Sequence, residues 1–175
     1  MKYAIISSAV LASLFIAGAA NASFGGRINF EGEVVNAACA VDANSTNQTI
    51  QLGQVRSGSF NAAGQLAGKV PFSIQLNDCD TTVSSTASVG FIAVQDATDQ
   101  NALAVNGGAG AATGIGIYIT DASGTVVTPD GTESSAVTLI DGKNVLPFHA
   151  QYVSTDAAVT AGTANATTTF RVIYN

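Results

Sequence analysis

One histidine, two cysteines and a pair of aspartates around the second cysteine are the side chains here best suited to chemistry. His149 sits in "LPFHAQYV", where Leu146, Phe148, Ala150 and Tyr152 alternate as an apolar face, so a strand there turns His149 outward. Serines and aspartates are plentiful enough for a Ser-His-Asp arrangement, but no G-x-S-x-G elbow accompanies them. Asp78 and Asp80 flank Cys79 in "NDCD"; on a strand they share a face, where like charges stay hydrated, and no Ca²⁺ loop pattern surrounds them. "NGGAGAATG" (106–114) has glycines but lacks the lysine and following helix of a phosphate cradle. The sequons at Asn44, Asn47 and Asn165 matter only in a eukaryotic secretory route. The residues point to a protein that is not an enzyme, with no metal and no cofactor.

Cys39 and Cys79 remain, and their meaning depends on compartment. Lys2 followed by "AIISSAVLASLFIAGAA" and Ala20-Asn21-Ala22 reads as a secretory leader spanning residues 1–22, with cleavage after Ala22. The apolar run is borderline against the roughly 20 residues of a bilayer span and lacks a cationic stop-transfer flank. In the oxidising compartment that a leader implies, an even cysteine count favours a disulfide. A metal site is the alternative, but no nearby His or further Cys completes its ligand set. The net charge of −6 and only six Lys and Arg argue against nucleic acid as partner, because phosphate binding needs clustered cations. They equally withhold the basic face of a membrane-surface binder, and no later segment is apolar enough for membrane insertion.

The elements that must position these residues are strands. Short alternating or apolar runs recur: "INFEGEVV", "QTIQLGQV", "KVPFSIQL", "ASVGFIAVQ", "GIGIYIT", "AVTLI", "NVLPFHAQYV" and "TTFRVIY". Breaker clusters such as "DANSTN", "NAAGQLAG", "TPDGT" and "IDGKN" separate them. That punctuation predicts an all-β sandwich or barrel in one domain. Both ends alternate as well. Phe24, Gly26, Ile28, Phe30, Gly32 and Val34 share one face of the first run after the leader, while Thr168, Phe170, Val172 and Tyr174 share one face of the last. Chain ends fray unless something holds them, so each terminal strand needs a partner.

In order along the chain, "GGRINFEGEVVNAACAVD" (25–42), "QLGQVR" (51–56), "VPFSIQLNDCD" (70–80), "GIGIYITDASG" (114–124), "LPFHAQY" (146–152) and "AGTANATTTFRVIYN" (161–175) resemble the major subunits of type 1 fimbriae, chaperone–usher pilins of Gram-negative bacteria. The resemblance implies an incomplete immunoglobulin-like β-sandwich lacking its last strand, spanning 33–175, behind a donor-strand extension at 23–32. It makes Phe24, Gly26, Ile28 and Phe30 the residues that fill a neighbouring subunit's groove. It makes Phe170, Val172, Tyr174 and Asn175 the strand that meets a periplasmic chaperone, with Cys39 and Cys79 bridged. The partners implied are further pilin subunits in a homopolymer, that chaperone and an outer-membrane usher. The destination implied is a fimbrium at the cell surface, reached through the periplasm, supporting adhesion. A minor adaptor or tip subunit is the alternative role. A tip adhesin with a lectin domain ahead of the pilin blocks would need about twice this length.

Overall fold

The computed structural model describes residues 26–34 and 37–175. The chain divides at Val34 into a first unit, of which 26–34 are described, and a second, Val35–Asn175. The leader at 1–22 and Phe24 lie outside the described residues. Among the described residues, no helix is long and apolar enough to cross a membrane.

Among the described residues of the second unit, nine strands form two sheets: β1 (Ala40–Val41), β2 (Leu66–Cys79), β3 (Thr86–Ile92), β4 (Leu103–Ala104), β5 (Ile115–Thr120), β6 (Asp130–Glu133), β7 (Val137–Thr138), β8 (Gly142–Ser154) and β9 (Thr169–Tyr174). One sheet runs β1-β2-β8-β5-β4. In the other, β3 is flanked by β6 and β7 along one edge and by β9 along the opposite edge. The ladders pair antiparallel. The fold is an all-β, immunoglobulin-like sandwich. Among the described residues, helix is limited to one α turn, α1 (Ala43–Thr46), which Asp42 caps by accepting from the Asn44 N–H at 2.9 Å, and a 3-10 turn at Ser57–Ser59.

The alternation in β8 sorts its residues as expected. Leu146, Phe148, Ala150 and Tyr152 are buried, and His149 lies half-buried on the other face opposite Pro71 and Thr120. Between the sheets, Phe72 of β2, Phe148 of β8 and Phe91 of β3 form an aromatic cluster with ring centroids 5.2–6.2 Å apart. Edge-to-face and offset contacts of this kind add to area burial. Gly90 lets β6 and β9 meet over β3: a Cβ there would stand 2.6 Å from the Gly131 carbonyl, to which the Arg171 Nη2 donates at 3.0 Å.

Several expectations fail: β2 starts within the breaker cluster "NAAGQLAG" and β8 within "IDGKN", "INFEGEVV" forms no strand over its described residues 28–34, and two further cases are informative. "TPDGT" reads as a breaker, yet β6 begins within it at Asp130, because Gly131 takes φ +93° and the strand is only four residues long. "QTIQLGQV" (48–55) reads as a strand, yet it pairs with nothing among the described residues. The alternation is genuine, since Ile50 and Leu52 are half-buried between exposed Thr49 and Gln51. Only the partner is missing.

One buried charge sits where β5 ends. The Asp121 carboxylate is 4% exposed and accepts from the N–H groups of Ser123, Thr125 and Ser135 and from the Ser123 hydroxyl. Burial pushes this carboxyl up, but the hydrogen bonds outweigh it and hold the group at about 2, below its ordinary 3.8. The folded-state value is the lower one, so the contribution is present above pH 4 and disappears as pH falls towards 2. Asp121→Ala should cost about 3 kcal/mol at pH 7, because buried N–H donors lose their acceptor. In thermal melts at pH 7, 4, 3 and 2 the difference between the two proteins should narrow towards the acid end, as the ionisation-linked part is lost; a constant difference would contradict this.

Candidate functional site

The last strand is paired on one side only. Thr86 and Asn175 exchange both backbone hydrogen bonds, at 3.1 and 3.0 Å. Antiparallel alternation from that pair directs the backbone groups of Ile173, Arg171 and Thr169 towards β3 and those of Tyr174, Val172 and Phe170 to the opposite side. No strand among the described residues receives them. The side chains of Phe170, Val172 and Tyr174 face the core half-buried, and Arg171 points out. The alternation continues upstream of β9, where Ala164, Ala166 and Thr168 are half-buried between exposed neighbours.

Facing this open edge is the unpaired stretch 47–55. Among the described residues, the peptide groups of 48–55 make no backbone–backbone hydrogen bond. A side chain tethers it: Gln48 Nε2 donates to the Ser73 carbonyl at 2.8 Å and to the Ser45 carbonyl at 3.3 Å. Between the two walls lies a cleft of about 940 Å³, with Phe72, Ile74, Phe91, Ile117 and Tyr152 on its floor. An apolar trench flanked by unpaired N–H and C=O groups on both sides has the shape and bonding demand of one further strand. Left open it is costly, because such edges pair with whatever strand arrives.

The disulfide end is built differently. Cys39 and Cys79 are bonded, with Cα atoms 4.1 Å apart, and both are buried. The Tyr174 hydroxyl donates to the Cys39 carbonyl at 3.1 Å, joining the end of β9 to the residue before β1. Burial raises the Tyr174 phenol above its ordinary value. The final carbonyl, on Asn175, also accepts from the hydroxyls of Ser84 (2.6 Å) and Thr86 (3.0 Å). Phe170, Val172 and Tyr174 therefore share the open edge, Asn175 bonds back to β3, and the cysteine bridge anchors the far end.

In the first unit, residues 26–34 form no helix or strand. Ile28 is 77%, Phe30 92% and Val34 fully exposed. In the sequence they alternate, with Gly26 and Gly32, against Arg27, Asn29, Glu31 and Glu33, the pattern of one face of an extended strand. Large apolar side chains lined up in water mark a surface that docks. The alternation runs to Val34, as in the sequence, past the four residues that the resemblance assigns to the groove. The wall at 47–55 is the part to which the sequence assigned no role, and its signal was an alternation with no partner.

Residues 28–175 match the family described as Fimbrial protein. The chain is 49% identical over 173 residues to the type-1 fimbrial protein, A chain, of Escherichia coli K12, covering 97% of this chain and 94% of that one. It is 45% identical over 184 residues to the fimbrial subunit type 1 of Salmonella typhimurium, covering 99% of this chain and all of that one. Among solved structures, the P pilus rod subunit PapA superposes with a TM-score of 0.68 at 30% identity, over 79% of this chain and all of that one. A subunit from a chaperone–usher pilus structure gives 0.74 at 31% identity, over 86% and 96%.

Proposed function

This chain belongs to the fimbrial protein family as a structural subunit that assembles with other pilin subunits into a cell-surface fimbrium, and from that premise we propose that it polymerises by donor-strand exchange. The stripe from Phe24 through Gly26, Ile28 and Phe30 of one copy enters the cleft of the next. There its peptide groups bond Phe170, Val172 and Tyr174 on one side and the 47–55 wall on the other. Pilin donor-strand complementation is itself an established example of strand addition, in which main-chain bonds supply affinity and side-chain pockets supply register. Each large side chain buried this way favours the joint by roughly 1.5–3 kcal/mol before ordering costs. The observation that carries the reading is the open cleft with unpaired backbone along both walls.

The same opening demands protection before assembly. A periplasmic chaperone meets β9 along that edge and holds the Asn175 carboxylate, and an outer-membrane usher hands the subunit to the growing fibre. Residues 1–22 act as the leader, 23–32 as the donor strand and 33–175 as the pilin domain. Immunogold electron microscopy of sheared surface fibres tests the role. Label along whole shafts is expected, and label confined to fibre ends would assign the chain to an adaptor or tip instead.

A further inference from the structure

Building on the donor-strand reading, we infer that successive subunits also meet end to end, with Val83 and Ile140 of one copy seated against Ile92 and Val94 of the copy whose groove it fills. Among the described residues after Val34, six large apolar side chains are exposed: Leu66, Val83, Ile92, Val94, Ile140 and Val145. They divide between the two ends of the sandwich. Val83 and Ile140, each 66% exposed, sit in the turns at the disulfide end. Asp141 ties those turns together by accepting from the Thr81 N–H at 2.9 Å and the Thr81 hydroxyl at 2.7 Å. Val145 lies close by on β8, whose first residue, Gly142, is opposite Cys79. Ile92 and Val94 are 46% and 77% exposed at the other end, where the last residue of β3 faces Thr169, the first of β9. Leu66, the first residue of β2, is at that end too. Apolar side chains scattered singly over a surface need no explanation, but their division between two ends does.

The tether decides which ends meet. Val34, the last residue of the stripe, is four residues from Ala38, a span of at most about 14 Å. Ala38 belongs to the disulfide end, where its carbonyl accepts from the Asp80 N–H at 2.9 Å. The donor strand therefore leaves its own subunit from the end that carries Val83 and Ile140. In the acceptor, a strand that continues the antiparallel ladders runs from Tyr174 towards Thr169 and brings Val34 to the end that carries Ile92 and Val94. Parallel entry would press the donor's body onto the acceptor's disulfide end, from which the acceptor's own extension must leave. Antiparallel entry gives each end one neighbour, a head-to-tail contact that repeats along a fibre. The donor strand holds the joint. The end contact stiffens it, because four residues of tether alone leave two bodies free to pivot.

The test compares wild-type fibres with Val94→Asp fibres, Ile140→Asp fibres, and fibres of chains that combine Val94→Lys with either Ile140→Asp or Val83→Asp. These positions are exposed and outside the cleft lining, so each processed chain should fold and bind a fluorescent peptide of residues 23–36 as the wild type does. Fibres of either single variant should shed subunits in denaturant at least about tenfold faster than wild type. At least one of the two charge pairs should bring that rate back to within about threefold of wild type. Shedding at the wild-type rate by both single variants overturns the inference, and so does a failure of both pairs to recover. Loss of peptide binding in a single variant counts against it too, by placing that residue in the groove. Should the single variants form no fibres, cysteines decide. Fibres carrying Val94→Cys with Ile140→Cys, treated with a short bismaleimide and then boiled, should give covalent oligomers that neither cysteine alone gives; monomer only refutes the contact. Failure of the wild-type chain to bind the peptide would sink the donor-strand reading itself, a separate result.

Discussion

Phe30→Asp is expected to leave a well-folded subunit and almost no fibres. Phe30 is 92% exposed, so within the subunit the substitution removes little and should change stability by no more than about 0.5 kcal/mol. In the joint the same change acts twice. It deletes an aromatic side chain whose burial is worth roughly 1.5–3 kcal/mol. It also asks a carboxylate to enter a trench floored by Phe72, Ile74, Phe91 and Ile117, at a cost of several kcal/mol without a partner. The sum exceeds a thousandfold in the equilibrium for the joint. Gels of unheated surface extracts should lose their ladder of oligomers while soluble subunit persists, and Phe30→Leu should keep most of the ladder. A normal ladder from Phe30→Asp would mean that Phe30 is not a groove residue.

Cys39→Ser is the second large effect, and it acts on the subunit before any joint forms. Cross-linking positions 40 residues apart stabilises the fold by about 4 kcal/mol in the chain-entropy description. For a domain of this size that corresponds to a melting point lower by roughly 10–15 °C. The loss is amplified by location. The bridge holds the buried residue to which Tyr174 is hydrogen-bonded, and it lies at the end of a sandwich already short of one strand. Melting of the purified subunit with and without reductant checks this directly. An unchanged melting point after reduction, with both thiols titrating, would remove the bridge from the account.

Much of the sandwich was legible because its strands obey the period-two rule against partners within the same chain. Leu146, Phe148, Ala150 and Tyr152 alternate in β8 and are buried as that alternation requires. Phe170, Val172 and Tyr174 do the same in β9, although their burial stops halfway. Where the reading faltered, the partner lay elsewhere or the strand was too short to carry a period. Residues 48–55 alternate without a ladder, and 26–34 alternate in full exposure. Alternation announces a strand, but it does not say which molecule the strand belongs to. The four residues of β6 carry no period at all, and a positive-φ glycine within them reads locally as a turn. The cleft between Phe170 and Leu52 was invisible for a different reason. It is a property of two walls that meet only in the folded chain, and no residue type announces an absent neighbour.

The central claim is that the open side of β9 takes a strand from another copy, and residue-resolved amide hydrogen exchange tests it most directly. Within the subunit, the N–H groups of Arg171 and Ile173 bond β3, whereas those of Phe170, Val172 and Tyr174 face the open side. In isolated subunit the first pair should therefore be protected and the other three should exchange quickly. In assembled fibres, Phe170, Val172 and Tyr174 should become as slow as their neighbours, and amides in the 47–55 wall should slow with them. Fast exchange at Phe170, Val172 and Tyr174 in intact fibres would contradict the account.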